Sequence, residues 1–264
     1  MELRSTQALA ESRSFTVRPI PVLRPLGWLA RGWKDLMRCP LPGMVHGLAM
    51  AAFGGLLVAV ARQQFWLLTG AFTGFLLVAP IVATGLYAVS RELARGKHPT
   101  LGTALRVWKP DDRRLVVFGL LLALAGTGWV LTSASLITGW AGGKVNSPAD
   151  FLRLVVLAPT GWLFEAWLML GALLAAPVFA SSVVALPLLL DRKVSVLAAV
   201  FTSWRVVMTH PGPLALWAAL IMLMTLLGMT TLLLGLVVVV PWIAHASWHA
   251  YRDLVDTTGM EKLP

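Results

Sequence analysis

Residues 213–251 read PLALWAALIMLMTLLGMTTLLLGLVVVVPWIAHASWHAY, a run that contains no Asp, Glu, Lys or Arg. A transmembrane helix needs about 20 predominantly apolar residues, so this run is long enough for two of them. As one straight helix it would be far longer than a hydrocarbon core of about 30 Å, because each residue adds about 1.5 Å. We therefore predict a tight hairpin of two spans, about 213–229 and 231–251, with the break at 228–231.

The rest of the chain has the same character. Hydrophobic residues make up 58% of the sequence and charged residues 13%, where a soluble domain has about 25% charged residues, and the mean hydropathy is +0.77. Four more apolar runs lie at about 43–61, 65–90, 115–140 and 161–190. The fold class predicted from these runs is all-α: a polytopic membrane protein with six transmembrane helices.

The basic residues of the chain predict its orientation. The net charge of +10 could suggest nucleic acid, but no RNA-binding motif, zinc finger or recognition helix accompanies it. Nineteen of the 22 Lys and Arg residues fall in segments that six spans with an inside N-terminus would place on one side. Cytoplasmic loops carry such an excess, so we predict a bacterial inner-membrane protein with both termini in the cytoplasm and no nucleic-acid partner.

The segments outside the spans predict the domain organisation. Residues 1–24 are polar and are expected to be a disordered cytoplasmic tail without a cleavable signal peptide, and residues 255–264 a short second tail. Residues 25–254 are expected to form a single membrane domain. In the longest outer loop, Ser147-Pro148-Ala149-Asp150 has the pattern of a helix start, which predicts a short helix from Pro148 to Ala158.

A threefold pattern recurs in the cytoplasmic segments. Each copy has a Trp with apolar residues seven, four and three positions before it and a basic residue directly after it, and the three Trp residues are Trp33, Trp108 and Trp204. Such spacing places the apolar residues on one helical face, and a Trp beside a cation suits the headgroup level. We predict three tandem units, at about 25–93, 99–194 and 195–254, each an interfacial helix followed by a two-span hairpin.

Charged pairs end the even-numbered spans. They are Arg91-Glu92, Asp191-Arg192 and Arg252-Asp253. Adjacent opposite charges at helix ends usually pair locally and fix the helix at the membrane interface. With the three tryptophans, Arg91, Arg192 and Arg252 are therefore expected to be interfacial anchors.

Histidines offer the main candidate for a metal or haem site. His245 and His249 are i, i+4 neighbours on the sixth span, and His46 could lie at a similar depth on the first. Imidazole nitrogens ligate haem iron and transition metals. The surrounding Trp242, Ser247, Trp248 and Tyr251 are also typical of a membrane-interface belt, and we favour this structural interpretation over ligation.

Glu165 is the only acidic residue within a predicted span, and an intramembrane carboxylate is a functional candidate by default. It lies near the outer interface between Trp162 and Trp167, so we favour a headgroup contact or a pair with Arg153. The single cysteine, Cys39, rules out an intrachain disulfide. The sequence contains no catalytic motif, so no enzyme activity and no cofactor are predicted.

Several segments resemble a known family. Ala185–Arg192 (ALPLLLDR), His210–Leu220 (HPGPLALWAAL) and His245–Leu254 (HASWHAYRDL), with Gly85-Leu86-Tyr87, are similar to a proteobacterial family of predicted integral membrane proteins of unknown function. Some members carry a cytochrome c oxidase subunit-like label. The resemblance implies an inner-membrane location and supplies no catalytic residues. A haem–copper catalytic subunit needs about six histidine ligands, and this chain has five histidines in all.

Three functions stay open from the sequence. A non-catalytic scaffold or accessory subunit, with a respiratory oxidase as one partner it could have, is favoured because almost nothing ionisable lies inside the membrane. A transporter or channel for a small or lipidic substrate is the second, and a haem- or metal-binding membrane protein is the third. The expected partners are the lipid bilayer and other membrane proteins or further copies of the chain.

Overall fold

The computed structural model describes residues 2–61, 63–107, 113–158, 161–258, 260–261 and 263. Within them the chain is all-α apart from one two-stranded ladder. In chain order the elements are α1 (Glu2–Arg13), β1 (Thr16–Val17), α2 (Arg24–Arg38), α3 (Pro40–Val60), α4 (Phe65–Val82), α5 (Thr84–Ala94), α6 (Leu101–Arg106), α7 (Arg113–Trp140), α8 (Pro148–Phe151), a π-helical turn (Leu152–Val156), α9 (Leu163–Ser182), α10 (Ala185–Asp191), α11 (Val196–Thr209), α12 (Pro211–Thr230), α13 (Leu236–Leu254) and β2 (Val255–Asp256).

The described residues contain four helical stretches that are long and apolar enough to cross a membrane. They are Pro40–Val60, Arg113–Trp140, Leu163–Asp191 and Pro211–Thr230. The all-α class and the membrane-spanning character of the chain are thereby confirmed. The count of six spans and the three-unit arrangement stay predictions, because the two further helices they need, α4 and α13, are shorter or carry polar residues.

The break in the last apolar run lies close to its predicted position. α12 ends at Thr230, a turn occupies residues 231–235, and α13 begins at Leu236. Leu232 and Leu233 have φ values of 53° and 68°, which place two bulky residues in the left-handed region. Such backbone conformations cost about 1–2 kcal/mol per residue. The packing of the helices on either side must offset this cost.

The second and fourth apolar runs are each divided into two helices. α4 contains Pro80 and stops at Val82, and α5 begins two residues later. α9 contains Pro177 and stops at Ser182, after which α10 begins at Ala185. Proline removes a helical hydrogen bond and clashes with the preceding turn. The bend predicted for the fourth run is confirmed, whereas the break in the second run was not expected.

The chain divides into two compact units, where the sequence led us to expect a single membrane domain. Unit 1 comprises Met1–Ala51, Pro80–Phe118 and Phe179–Pro264, and unit 2 comprises Ala52–Ala79 and Gly119–Val178. Unit 1 contains both ends of the chain and the predicted histidine site, whereas unit 2 contains the outer loop and Glu165.

The centre of unit 1 is the packing of α2 against α13. α2 buries Pro25, Trp28, Gly32, Asp35 and Leu36, which recur at helical spacing along one face. A Cβ added to Gly32 would lie 2.5 Å from the backbone nitrogen of Ala246 on α13, so the two backbones touch there. The indole of Trp28 packs edge-on against Trp217 of α12 at 5.5 Å between ring centroids.

The N-terminal segment differs from the disordered tail that its composition suggested. α1 packs against α11, and Phe15 is 1% exposed. Thr16 and Val17 then pair antiparallel with Asp256 and Val255, so the expected C-terminal tail also begins with ordered structure. These contacts are long-range pairings, which local polarity and proline content do not report.

Unit 2 has an aromatic core of its own. Trp129 and Trp167 lie 5.6 Å apart between ring centroids, and each indole N–H donates to a hydroxyl, of Thr73 and Ser133 respectively. The predicted outer helix is present as α8 and the π-helical turn, so it ends at Val156. Ser147 accepts a hydrogen bond from the Asp150 amide, which confirms the capping pattern.

Candidate functional site

The candidate site surrounds the two histidines of α13. The i, i+4 spacing places His245 and His249 on the face that packs against α2 and α5. α2 contributes Asp35 to this face and α5 contributes Ser90. We call Asp35, Ser90, His245 and His249 the Asp35 network.

Three hydrogen bonds of 2.8 Å connect the Asp35 network into a chain. The hydroxyl of Ser90 donates to Oδ2 of Asp35, and Nε2 of His249 lies against the same oxygen. On its other side the Ser90 hydroxyl meets Nδ1 of His245. Ser90 and His245 are 0% exposed and Asp35 is 6% exposed, while the side chain of His249 is 17% exposed. The chain thus runs from a partly exposed rim to a fully buried end.

Asp35 is ionised in this setting. Burial by itself raises the pKa of a carboxyl, but the hydrogen bonds from His249 and Ser90 and the nearby histidines together hold the pKa of Asp35 below its ordinary value. A carboxylate with two donors on one oxygen is a strong acceptor, and removal of either donor would leave a buried charge with less compensation.

His46 is buried on α3, and its position differs from what a three-histidine site requires. Nδ1 of His46 lies 2.8 Å from the carbonyl of Pro42, one turn back in its own helix. No hydrogen bond joins it to His245 or His249 in the described part of the chain. The described residues also contain no group of three or more His, Cys, Asp or Glu side chains that could hold a metal ion.

Asp191 is a second carboxylate of unit 1 that is surrounded by donor and cationic groups. Asp191, at the end of α10, accepts a 2.8 Å hydrogen bond from the hydroxyl of Tyr251 and lies 3.3 Å from Arg192 and 3.5 Å from Arg252. Arg91 donates to the carbonyl of Leu190 at 2.8 Å. The predicted anchors Arg91, Arg192 and Arg252 therefore meet around one helix end.

Asp253 is the third carboxylate, and α2 supplies its partners. Arg24, Arg31 and the indole of Trp28 all donate to it. Burial raises the pKa of Asp253, but these three donors more than offset that effect and lower the pKa to about 2. Asp253 therefore pairs with α2 and not with its neighbour Arg252, which differs from the local pairing we expected.

The predicted tryptophan anchors lie at the surface where the structure describes them. Trp33 and Trp204 are each 39% exposed. Trp33 packs against Trp242 at 4.9 Å between ring centroids, and Trp204 donates to Ser181. Trp108 lies outside the described residues.

Glu165 is exposed on α9 in unit 2. Arg153, its suggested partner, instead lies 3.5 Å from Asp150.

Sequence reasoning missed Asp35 and Ser90. A signal for Asp35 existed, because it follows Trp28 by seven residues and so shares the face of α2 that is buried. Ser90 carried no comparable signal, since a serine at the end of an apolar run is ordinary. Its role depends on how α5 packs against α13.

Comparison with known proteins found one family that is similar to a segment of the chain. Residues 67–191, slightly less than half of the chain, match the family of predicted integral membrane proteins designated DUF2189. This match confirms the expected resemblance to an integral membrane protein family of unknown function. Searches of curated proteins and of solved structures gave no match.

Proposed function

We propose that this integral membrane protein with a DUF2189 segment is a non-catalytic scaffold or accessory subunit of a membrane complex. The observation that supports this role is that three carboxylates bind residues of neighbouring helices. Asp35 and Asp253 each accept hydrogen bonds from two or more groups, and Asp191 accepts one from Tyr251 and forms ion pairs with Arg192 and Arg252. Each set of partners includes a residue of another helix. Charges that hold helices together in this way fit a rigid platform.

α13 contributes to all three of these carboxylate clusters. His249 contacts Asp35, Tyr251 and Arg252 contact Asp191, and Asp253 is itself the third carboxylate. The short segment 249–253 of α13 thus connects α2 and α10. Several charged hydrogen bonds in one short segment favour a fixed arrangement of these helices over a moving gate.

Six spans in three tandem units is the topology that fits this role best. β1 pairs with β2, and two paired strands lie on the same side of a membrane, so an even number of spans connects them. The order short helix, long helix, long helix begins at α2, α6 and α11, and in the second copy α8 and the π-helical turn lie between the two long helices. On α2 and α11, the apolar residues that lie seven, four and three positions before Trp33 and Trp204 are on the more exposed face, as an interfacial helix requires.

The bacterial inner membrane, with both chain ends in the cytoplasm, is the location we propose. The distribution of Lys and Arg supports it through the positive-inside rule. An oxidase of the respiratory chain is one complex that an accessory subunit at this location could serve.

A transporter is the second candidate. A water-filled path containing Glu165 would favour it, and Glu165 is exposed on unit 2. A haem or metal site is the third candidate, and it would need His46, His245 and His249 to converge. Nδ1 of His46 instead lies against the carbonyl oxygen of Pro42.

Purification in mild detergent tests the scaffold role. Absorption spectroscopy, metal analysis, light scattering and mass spectrometry of the eluted complex should show a stoichiometric membrane-protein partner and no Soret band. Asp35→Asn should lower the recovery of that partner several-fold because α2 loosens from α13, while the exposed matched control Glu165→Gln should not. A partner-free chain that gives saturable solute flux in proteoliposomes, abolished by Glu165→Gln, would overturn the proposal.

A further inference from the structure

One nitrogen of the Asp35 network has no hydrogen-bond partner among the described residues. It is Nε2 of His245, on a side chain that is 0% exposed. A buried polar atom without a partner costs about 1–3 kcal/mol, so such an atom in a native protein calls for an explanation. What Nε2 can do depends on whether it carries a proton.

The three 2.8 Å contacts determine where the protons are. The hydroxyl of Ser90 has one hydrogen, and the ionised Asp35 can only accept, so that hydrogen lies between Ser90 and Asp35. The oxygen of Ser90 must then accept a hydrogen from His245, which places a proton on Nδ1. In the neutral ring, Nε2 is consequently the basic nitrogen, with a free lone pair in a buried place.

The groups that face His245 come from each element packed around it. α2 presents Asp35, α3 presents His46, α5 presents Ser90, and α13 itself presents His249 one turn away. Tyr87 of α5 is buried nearby against Ser247. Asp35 is the one carboxylate in this set, and Ser90 links it to His245, so a proton that arrives at the buried end can pass to it.

We propose that the Asp35 network is a proton relay, with Nε2 of His245 as the buried acceptor and Asp35 as the terminal site near solvent. Nε2 binds a proton from hydronium. The Nδ1 proton then moves to the oxygen of Ser90 while the hydroxyl hydrogen of Ser90 moves to Oδ2 of Asp35. One proton enters and one reaches Asp35, which becomes neutral, and His245 ends as the neutral tautomer with its proton on Nε2.

The resting arrangement sets the first transfer of this relay. With Nδ1 of His245 protonated and Asp35 ionised, the first proton shift runs toward Asp35, and the same hydrogen bonds carry the proton back in the reverse step. Asp35 and His249 form the end that reaches water, with side chains 8% and 17% exposed. The relay is independent of the proposed scaffold role, since a scaffold, an accessory subunit or a transporter could contain it.

A proton fits this nitrogen better than a metal ion does. Zinc sites use three or four protein ligands, and the described residues contain no such group around His245. A proton needs only the one lone pair.

Nitrogen-15 NMR of histidine-labelled protein tests the tautomer. The signal assigned to His245 by its loss in His245→Gln should be that of the neutral ring protonated at Nδ1 near pH 7. A ring protonated at Nε2 would overturn the proposal. This measurement needs no partner protein, so its outcome is independent of the outcome of the scaffold experiment.

Hydrogen exchange at His245 tests the relay itself. The Nδ1 proton should exchange with water at least 10-fold more slowly in Ser90→Ala, which removes the connecting hydroxyl. Ser90→Thr keeps the hydroxyl and should exchange at a rate close to that of the unaltered protein. Equal rates in Ser90→Ala and Ser90→Thr, in preparations with matched unfolding temperatures, would overturn the relay.

Discussion

Asp253 is a single residue that connects two helices distant in the sequence. Its carboxylate belongs to α13, yet its donors Arg24, Trp28 and Arg31 all belong to α2. Residues that are more than 220 positions apart in the chain thus share one charged cluster. Because the interaction requires the ionised carboxylate, it should depend on pH.

Acid should therefore weaken the contact between α2 and α13. The pKa of Asp253 is lowered to about 2 in the folded protein, against about 3.9 in an unfolded chain. A lowered pKa adds stability that is complete above about pH 4 and is lost as the pH falls toward 2, here about 1–2 kcal/mol after allowance for solvent screening.

Thermal unfolding of the purified protein between pH 2 and 5 measures this effect. The difference in unfolding temperature between the unaltered protein and Asp253→Asn should shrink as the pH falls through this window. Other carboxylates titrate equally in both proteins, so the difference isolates Asp253. Parallel curves for the two proteins would contradict the assignment.

Residue-scale prediction from the sequence was uneven for a physical reason. The i, i+4 relation of His245 and His249 follows from helix geometry alone, and the structure places both on the same buried face. Asp35 and Ser90 join them only through the packing of three helices. The exposure of Glu165 likewise depends on which way α9 faces, and a helix with apolar residues all round gives no signal for that.

At the scale of helices, glycine sets how closely α2 can approach α13. Gly32 and Gly27 lie on the same helix, but they face different surroundings. A Cβ on Gly32 would meet the backbone of Ala246, whereas a Cβ on Gly27 would meet nothing within 4 Å.

These two glycines form a matched pair for an experiment. Gly32→Ala should destabilise the protein by about 1–3 kcal/mol, because backbone atoms cannot move aside as a side chain can. Gly27→Ala should be neutral or stabilising by up to about 1 kcal/mol, since alanine favours helix. Unfolding temperatures in detergent give both values, and a stable Gly32→Ala protein would show that the two helices separate easily.

Helix ends were predicted well where the side chains mark them and poorly elsewhere. Ser147, Pro148 and Asp150 start α8 where their capping pattern indicated. The break at Ala83 follows Pro80 by one turn, but proline is tolerated in many membrane helices and so does not by itself predict a break. The disordered-tail interpretation of residues 1–24 was based on composition, which is silent about long-range pairing.

For the whole molecule, the number of spans is the property to measure. Six spans place residues 62–64 and the loop at 141–160 on the outer side, and both chain ends with residues 91–114 on the inner side. The single cysteine at position 39 makes a cysteine-free starting protein a one-residue change, Cys39→Ser.

Single cysteines introduced into that protein can report the side of each loop. We expect a membrane-impermeant thiol reagent, added to intact cells, to label cysteines at Gln63 and Gly142 and to leave those at Lys97 and Thr258 unlabelled until the cells are opened. Four spans would leave Gln63 and Lys97 on the same side. Labelling of Thr258 in intact cells would contradict the cytoplasmic C-terminus.

The ladder between β1 and β2 has a consequence for the timing of biosynthesis. Val17 leaves the ribosome about 240 residues before its partner Val255 is made. At about 5–20 residues per second, the first strand waits roughly 10–50 s for the second. During that interval Phe15 and the adjoining helix α1 lack their final partners. A factor that binds this segment would therefore protect the nascent chain until α13 and β2 have been made.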